Sequence, residues 1–281
     1  MTNDYGNLEL HKVLLSAMKD IDRICRENGL RYYLYAGTLL GAVNHQGFIP
    51  WDDDVDIVMF AGDFYKLAEI LENEYANLYT LMTFENSPDW YSKMCKIQVN
   101  GAYIINSKNK TPVFIDVSIL HSVPDAKLLR FIQKKQIEFL NLSLGVLSGE
   151  IVPSSWITKL TIARYARRGK ERLGCELDKV MRRYDHICTR DVGIMCNTLT
   201  CNPYTGVSGY DTDITRREWH ETPVDVVFED MSAMTYSHIE EYLDWQYGKK
   251  WRDPYPEEKR ITKHDVKSYE ISPEVRARIG L

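Results

Sequence analysis

The sequence predicts an α+β fold, with a mixed β-sheet core, flanking helices and a mostly helical C-terminal portion. Residues 8–28 place apolar side chains at helical spacing with charged residues between them. Short runs rich in β-branched and aromatic residues recur between residues 30 and 118, as expected for strands. Beyond residue 124 the patterns are longer and helical. We therefore expect a core at 1–124 and a mostly helical portion at 125–281 that packs on the core and completes one cleft.

The predicted elements of the first portion follow from periodicity and turn residues. Gly29 is a plausible cap for the first helix, and Asp63 for a later one. The expected order is a helix at 8–28, a strand at 30–36, a short helix at 39–43, a loop at 45–50, an acidic strand at 54–57, a helix at 63–75, and strands at 79–84, 93–99, 102–105 and 112–118.

The second portion is expected to consist of helices at 125–147, 156–172, 177–184 and 237–248, with a loop at 196–215. Segment 156–172 carries six basic residues among apolar ones: Lys159, Arg164, Arg167, Arg168, Lys170 and Arg172. Such a segment is either the solvated face of a packed helix or a peripheral contact with an anionic membrane surface.

Composition narrows the class of protein. The 281 residues carry a net charge of -5, which argues against a general nucleic-acid binder. No signal peptide or transmembrane run is visible, so a cytoplasmic location is expected, with a peripheral site at the inner face of the plasma membrane as its variant. Cys188, Cys196 and Cys201 lack paired zinc-ligand spacing, and reduced thiols are the simpler account.

An acidic cluster at residues 52–56 is the most informative stretch. On a strand, Asp54 and Asp56 would point to one face while Val55 and Ile57 point to the other. Two adjacent carboxylates repel each other, and burying them unpaired is costly. A divalent cation removes both problems, and Mg²⁺ prefers carboxylate oxygens and substrate phosphates.

A third acid, Asp116, interrupts the apolar strand predicted at 112–118. With Ile115 and Val117 facing away, it would project onto one sheet face, as Asp54 and Asp56 do. Three carboxylates from two strands allow a site for one or two metal ions.

The turn Gly37-Thr38 precedes the short predicted helix. Glycine permits close backbone approach to a ligand, and the N–H groups of a helix start can hold phosphate oxygens.

Together these residues resemble the active site of the nucleotidyltransferase superfamily. The run Gly37-Thr-Leu-Leu-Gly-Ala-Val43, followed by His45-x-Gly-Phe-Ile-Pro-Trp-Asp-Asp-Asp-Val-Asp-Ile57, resembles the signature of the LicD family of phosphotransferases, to which fukutin-type transferases are related. Weaker similarities extend to residues 93–96, 114–118, 242–248 and His264. Asn44 departs from the pattern, since the family commonly has a basic residue there.

The resemblance implies a nucleotidyltransferase-like fold and transfer of a phospho-alcohol, most typically phosphocholine from CDP-choline, onto a hydroxyl of a surface glycan or its lipid-linked precursor. In that chemistry Asp54 and Asp56 would bind Mg²⁺, and Asp116 would be a shared ligand or the base for the acceptor hydroxyl. Either Asp52 or Asp53 could contact these ligands without binding the ion, and a slip in the strand register would exchange their roles with those of the ligands. The candidate substrate-binding residues are Gly37, Thr38, His45, Trp51, Lys93 and Lys96.

Three alternatives remain at this point, one of them a catalytically inactive binding relative, against which the retained acids argue. A nucleotidyltransferase would use the same acids to pass a nucleoside monophosphate to a small acceptor and release pyrophosphate. A calcium-binding module would place Asp52, Asp54 and Asp56 at positions 1, 3 and 5 of an EF-hand-like loop, although Ile57 then stands where glycine is needed.

Overall fold

The computed structural model describes residues 5–152, 156–187, 198–200, 214–262 and 266–281. The chain divides into two compact units. The first comprises Met1–Leu81, Lys96–Val117 and Trp219–Leu281, and the second comprises Met82–Cys95 and Ser118–Glu218. This division differs from the predicted one at residue 124, because the last 63 residues, 219–281, belong to the first unit.

The elements up to residue 123 are α1 (Leu8–Glu27), β1 (Tyr32–Leu34), α2 (Ala36–His45), β2 (Asp56–Phe60), α3 (Ala61–Glu74), β3 (Tyr79–Met82), β4 (Cys95–Asn106) and β5 (Lys110–Val123). They are followed by α4 (Lys127–Ser148), α5 (Trp156–Ala166), α6 (Lys170–Ile187), β6 (Thr198–Thr200) and β7 (Ile214–Arg216). The chain ends with β8 (Val224–Phe228), β9 (Met231–Thr235), α7 (Ile239–Tyr247), β10 (Val266–Ile271) and α8 (Pro273–Arg278).

A sheet forms the centre of the first unit, with strand order β1-β2-β5-β4-β10. β1 runs antiparallel to β2, with Leu34 opposite Ile57, and β10 runs antiparallel to β4. The predicted helix at 8–28 is confirmed, because α1 buries every apolar position that predicted it: Leu10, Val13, Leu14, Ala17, Met18, Ile21, Ile24 and Cys25. Together, helix and sheet confirm the predicted α+β class.

Residues 219–281 belong to the first unit because they form hydrogen bonds and aromatic contacts with residues of β1. The backbone N–H of Met234 donates to the hydroxyl of Tyr32 (3.2 Å), and the hydroxyl of Tyr33 donates to the carbonyl of His220. Tyr236 then stacks on Tyr33, with ring centroids 5.4 Å apart. These long-range contacts have no signature in sequence periodicity.

The second unit contains α4, α5 and α6, in a region predicted to be helical. α4 and α6 enclose an apolar cluster made of Phe84, Val123, Ile137, Leu140, Leu144, Leu173, Leu177 and Met181. The end of β5 pairs with β6, which pairs with β7. The basic segment 156–172 is not one helix as predicted, because α5 ends at Ala166, Gly169 has φ +86° and α6 begins at Lys170.

Three further expectations need correction or lie outside the described residues. Asp63 does not cap α3, which starts at Ala61; it accepts a hydrogen bond from Arg31 (3.1 Å) in the first turn. The strands predicted at 93–99 and 102–105 are one continuous strand, β4. The loop predicted at 196–215 contains β6 and the start of β7. The rest of that loop lies outside the described residues, as do Cys188, Cys196, Cys201 and His264.

Candidate functional site

Three consecutive aspartates crowd together where the loop after α2 approaches β2. Each of Asp52, Asp53 and Asp54 can offer a carboxylate oxygen within 4.8 Å of the other two. Asp52 and Asp53 are 6% and 3% exposed. Because like charges at this separation repel strongly away from water, the cluster suits a hard divalent cation.

Two residues of the N-terminal segment hold this loop by its carbonyl groups. The side-chain amide of Asn7 donates to the carbonyls of Pro50 (3.3 Å) and Asp52 (3.1 Å). Nε2 of His11 lies 2.7 Å from the same Asp52 carbonyl, and its ring stacks on Phe48. Burial lowers the pKa of His11. Neither Asn7 nor His11 was predicted as a site residue, because a carbonyl partner leaves no trace in the sequence.

Gly37 lies directly against the acidic cluster. A Cβ atom added to Gly37 would lie 2.6 Å from Oδ2 of Asp52, so any larger residue would displace that carboxylate. Ala36 N–H donates to the hydroxyl of Tyr242 (3.1 Å), and the N–H groups of Thr38 and Leu39 donate to the Tyr35 carbonyl. Glycine at position 37 therefore leaves the space that the Asp52 carboxylate occupies. The predicted contact of Gly37 with a phosphate stays a prediction.

Thr38 bonds to the start of β2. Its Oγ1 accepts a hydrogen bond from the backbone N–H of Asp56 (2.9 Å), and the residue is 5% exposed. This bond fixes the register between α2 and β2 at the acidic residues. The predicted phosphate contact of Thr38 would have to use its remaining hydroxyl proton.

The alternation expected around Asp54 and Asp56 is present, although the strand starts later than predicted. Val55 and Ile57 are buried, whereas Asp54 and Asp56 are partly exposed. β2 begins at Asp56, so Asp54 lies in the loop two residues before it.

Asp116 lies in β5, the neighbour of β2, between the fully buried residues Ile115 and Val117. Its backbone N–H donates to the carbonyl of Val55 (2.8 Å), which brings the two acidic segments side by side. Its carboxylate pairs with Lys96 of β4 at 2.6 Å, and the ammonium of Lys96 lies 3.3 Å from the Phe114 ring centroid. Among the described residues, the three-acid group within ligand range is Asp52–Asp54; Asp56 and Asp116 are outside it. Their predicted roles, and that of Lys96 as a counter-charge for phosphate, stay predictions.

Lys93, the other predicted counter-charge, belongs to the second unit. Its side chain is 8% exposed, and its ammonium pairs with Asp178 at 2.8 Å and with Glu85. Burial alone would lower the pKa of Lys93, but these two carboxylates outweigh burial and raise it. The ammonium is thus already held by two acids.

Aromatic rings surround the residue that precedes the acids. Trp51 stacks on Tyr255 with centroids 5.8 Å apart, and it meets His45 and Tyr5 edge-on. The guanidinium of Arg260 lies over the Trp51 ring at 5.1 Å. His45 and Trp51, predicted as pocket residues, are thus brought together.

Tyr247 was missed as a site residue. Burial first, and then the charges of Asp56, Asp52 and Asp54, raise its pKa. It lies at the end of α7, close enough to the acids to sense them. The only sequence signal was the segment ending at Gly248, which looked like an ordinary helix terminus.

The arrangement combines clustered hard oxygen ligands with tightly positioned backbone, as phosphoryl and nucleotidyl transfer require. Residues 29–139 match the family described as LicD/FKTN/FKRP, nucleotidyltransferase domain. This match identifies residues 29–139 as a domain of the nucleotidyltransferase class. Within that class, the domain is similar to the LicD family.

Two curated relatives illustrate the similarity. The lipopolysaccharide cholinephosphotransferase LicD of Haemophilus influenzae is 32% identical over 130 residues, which cover 45% of this chain and 49% of that protein. An uncharacterized protein of Rickettsia prowazekii is 30% identical over 112 residues, 40% of each chain. The chain therefore spans about half or less of the length of these relatives.

Among solved structures, terminal uridylyl transferase 4 from Trypanosoma brucei with bound GTP matches 50% of this chain and 47% of its own, at 15% identity and a TM-score of 0.22. That score supports no structural conclusion. Separately, none of the helices in the described ranges is both long and apolar enough to cross a membrane.

Proposed function

We propose that the protein is a Mg²⁺-dependent transferase that moves a phospho-alcohol, with phosphocholine from CDP-choline favoured, onto a hydroxyl of a surface glycan or its lipid-linked precursor, releasing CMP. The observation that carries the proposal is the Asp52–Asp54 cluster inside the family-matched segment, in which Asp52 and Asp53 are buried. The name of the Haemophilus relative supports choline phosphate and lipopolysaccharide as donor group and acceptor.

In this proposal Asp52, Asp53 and Asp54 would hold one or two Mg²⁺ ions, with Asp56 beside them. The ion would neutralise the charge that builds on the departing phosphate. Thr38 positions the acidic segment by accepting a hydrogen bond from the Asp56 N–H. Gly37 leaves the space that the Asp52 carboxylate occupies. Asp116 would accept the proton of the acceptor hydroxyl once Lys96 shifts away from it, or would serve as a further ligand.

The test is incubation of the purified protein with Mg²⁺ and CDP-choline, CDP-glycerol, CDP-ribitol or CDP-ethanolamine, with and without glycan acceptors. The expected result is CMP release that depends on both acceptor and Mg²⁺. No CMP with any donor, but pyrophosphate release from a nucleoside triphosphate, would replace the proposal by its alternative, a nucleotidyltransferase that modifies a small acceptor.

The calcium-module alternative finds no support in the fold. An EF-hand-like loop starting at Asp52 would extend to residue 63. In this chain β2 occupies 56–60, with Ile57, Val58 and Met59 buried, and α3 begins at Ala61. A strand and a helix start cannot wrap around an ion as that loop does.

For the acceptor side, we propose that the second unit contacts an anionic membrane surface. Residues 156–187 contain nine Lys and Arg against four Asp and Glu, a net charge of +5. Leu160 is 66% exposed and borders a pocket with Arg164, Tyr165 and Arg168. Co-sedimentation with phosphatidylglycerol vesicles, but not with phosphatidylcholine vesicles, is expected, and the R164E/R168E variant should lose it. Equal sedimentation with both vesicles would contradict the proposal.

A further inference from the structure

The structure assigns Arg260 to an anion subsite beside Trp51 that receives the diphosphate of the donor. This inference rests on the proposed function and deepens it, because it names the cation that opposes the phosphates. Arg260 lies outside the family-matched segment 29–139.

The guanidinium is held in one orientation. Its Nε and Nη2 both donate to the carbonyl of Tyr255, at 2.9 and 2.7 Å, and its Cζ lies 5.1 Å from the Trp51 ring centroid. Stacking and two fixed hydrogen bonds remove much of the side-chain entropy that an arginine would otherwise lose on binding a ligand.

Within the described residues, the charge of Arg260 is only weakly compensated. Its ion pair with Glu257 is long, at 3.6 Å, and the Glu257 side chain is 86% exposed, so solvent screens the attraction. Burial, followed by the positive charge of Arg260, lowers the pKa of His45. Arg260 therefore places a positive charge over the face of Trp51.

The lysines predicted as counter-charges differ from Arg260, because carboxylates pair with them at short distance. Lys96 contacts Asp116 at 2.6 Å, and Lys93 contacts Asp178 at 2.8 Å as well as Glu85. Arg260 instead lies over the ring of Trp51, the residue that immediately precedes the acidic cluster. Because the Nε–Nη2 edge of the guanidinium donates to the Tyr255 carbonyl, phosphate oxygens would meet its other edge, formed by Nη1 and Nη2.

The same geometry argues against binding of a choline cation by the aromatic rings near the acids. Stacked rings such as Trp51 and Tyr255 could in principle bind the quaternary ammonium of choline. A guanidinium over the Trp51 face would repel that cation. The aromatic rings here serve to hold Arg260, and the subsite takes the anionic part of the donor.

The experiment measures binding and turnover for wild type, Arg260→Ala, Arg260→Lys and the matched control Arg252→Ala. Arg252 also lies over a tryptophan, Trp251, at 4.1 Å, but it pairs with Glu240 and Asp244. We expect Arg260→Ala to raise the KM for CDP-choline by about 10- to 100-fold with a smaller change in kcat, as loss of one charge-assisted hydrogen bond implies. Arg260→Lys should recover part of the loss, and Arg252→Ala should stay within about twofold.

Calorimetry separates this inference from the proposed function. With Mg²⁺ present, Arg260→Ala should bind CDP-choline and inorganic diphosphate about tenfold or more weakly, while cytidine, which has no phosphate, binds as it does to wild type. Wild-type turnover with unchanged KM and unchanged diphosphate affinity in Arg260→Ala would overturn the subsite and leave the function standing. Absence of wild-type turnover, with diphosphate binding that depends on Arg260, would overturn the function and support the subsite.

Discussion

The two units of the chain carry net charges of opposite sign. The first unit carries 27 Asp and Glu against 18 Lys and Arg, a net charge of -9, whereas the second carries 13 against 17, a net charge of +4. In the first unit, three acids share one small volume at Asp52–Asp54. In the second, the buried ammonium of Lys93 lies between Glu85 and Asp178.

This contrast separates a site from a structural ion pair. Opposite charges at hydrogen-bond distance stabilise each other within the protein and need no further ligand. Like charges at short distance repel each other, and the Mg²⁺ of the proposed function would offset that repulsion at Asp52–Asp54. The predictions below test that distinction.

The largest effect is expected from Asp53→Asn in the acidic cluster. Turnover should fall about 100- to 1,000-fold, and the rise in Tm that Mg²⁺ produces in wild type should disappear, because one of the ion's ligands is lost. Asp178→Asn is the matched control and should retain both the Mg²⁺ response and turnover. Asp54→Asn sharpens the test: loss of activity in Asp54→Asn alone would restore the predicted second-shell role of Asp53.

Gly37→Ala should have the next largest effect. The new Cβ would lie 2.6 Å from Oδ2 of Asp52, so the carboxylate must move, and we expect about a 10- to 100-fold loss of turnover with weaker Mg²⁺ binding. Gly62→Ala, in α3, meets nothing within 4 Å and should be neutral or slightly stabilising. Full activity in Gly37→Ala would show that the position of Asp52 does not matter.

Lys93→Met probes the paired charges of the second unit. We expect the free energy of unfolding to fall by about 1–3 kcal/mol, because Asp178 and Glu85 lose their partner. Urea unfolding measures this change. Lys135→Met, which removes an exposed pair with Glu138, should cost less than about 1 kcal/mol. Unchanged stability with abolished turnover in Lys93→Met would instead support the predicted contact of Lys93 with phosphate.

The smallest effect concerns pH and the loop anchor His11. Burial lowers its pKa below the ordinary value of 6.5, so the unfolded chain binds a proton at mildly acidic pH that the folded chain does not. The free energy of unfolding should therefore decrease as pH falls through 6.5, and His11→Gln should flatten that dependence. A pH dependence in His11→Gln equal to that of wild type would contradict the prediction.

Local patterns were sufficient wherever neighbouring residues alone decide the structure. The spacing of apolar residues determined α1, and alternation determined which side chains around Asp54 and Asp56 face inward. Asp116 was located because an acid inside an apolar strand is costly without a role. The density of Gly, Trp and Asp between residues 37 and 57 was sufficient to recognise the family.

Only the tertiary structure decided which groups meet across long separations. It shows that residues 219–281 belong to the first unit. It also places the Asp52 carboxylate against Gly37 and Arg260 over Trp51. It also gave Lys93 and Lys96 their acidic partners. Such contacts depend on loop closure and on backbone carbonyl groups that every residue possesses, and so residue type and spacing carry no record of them.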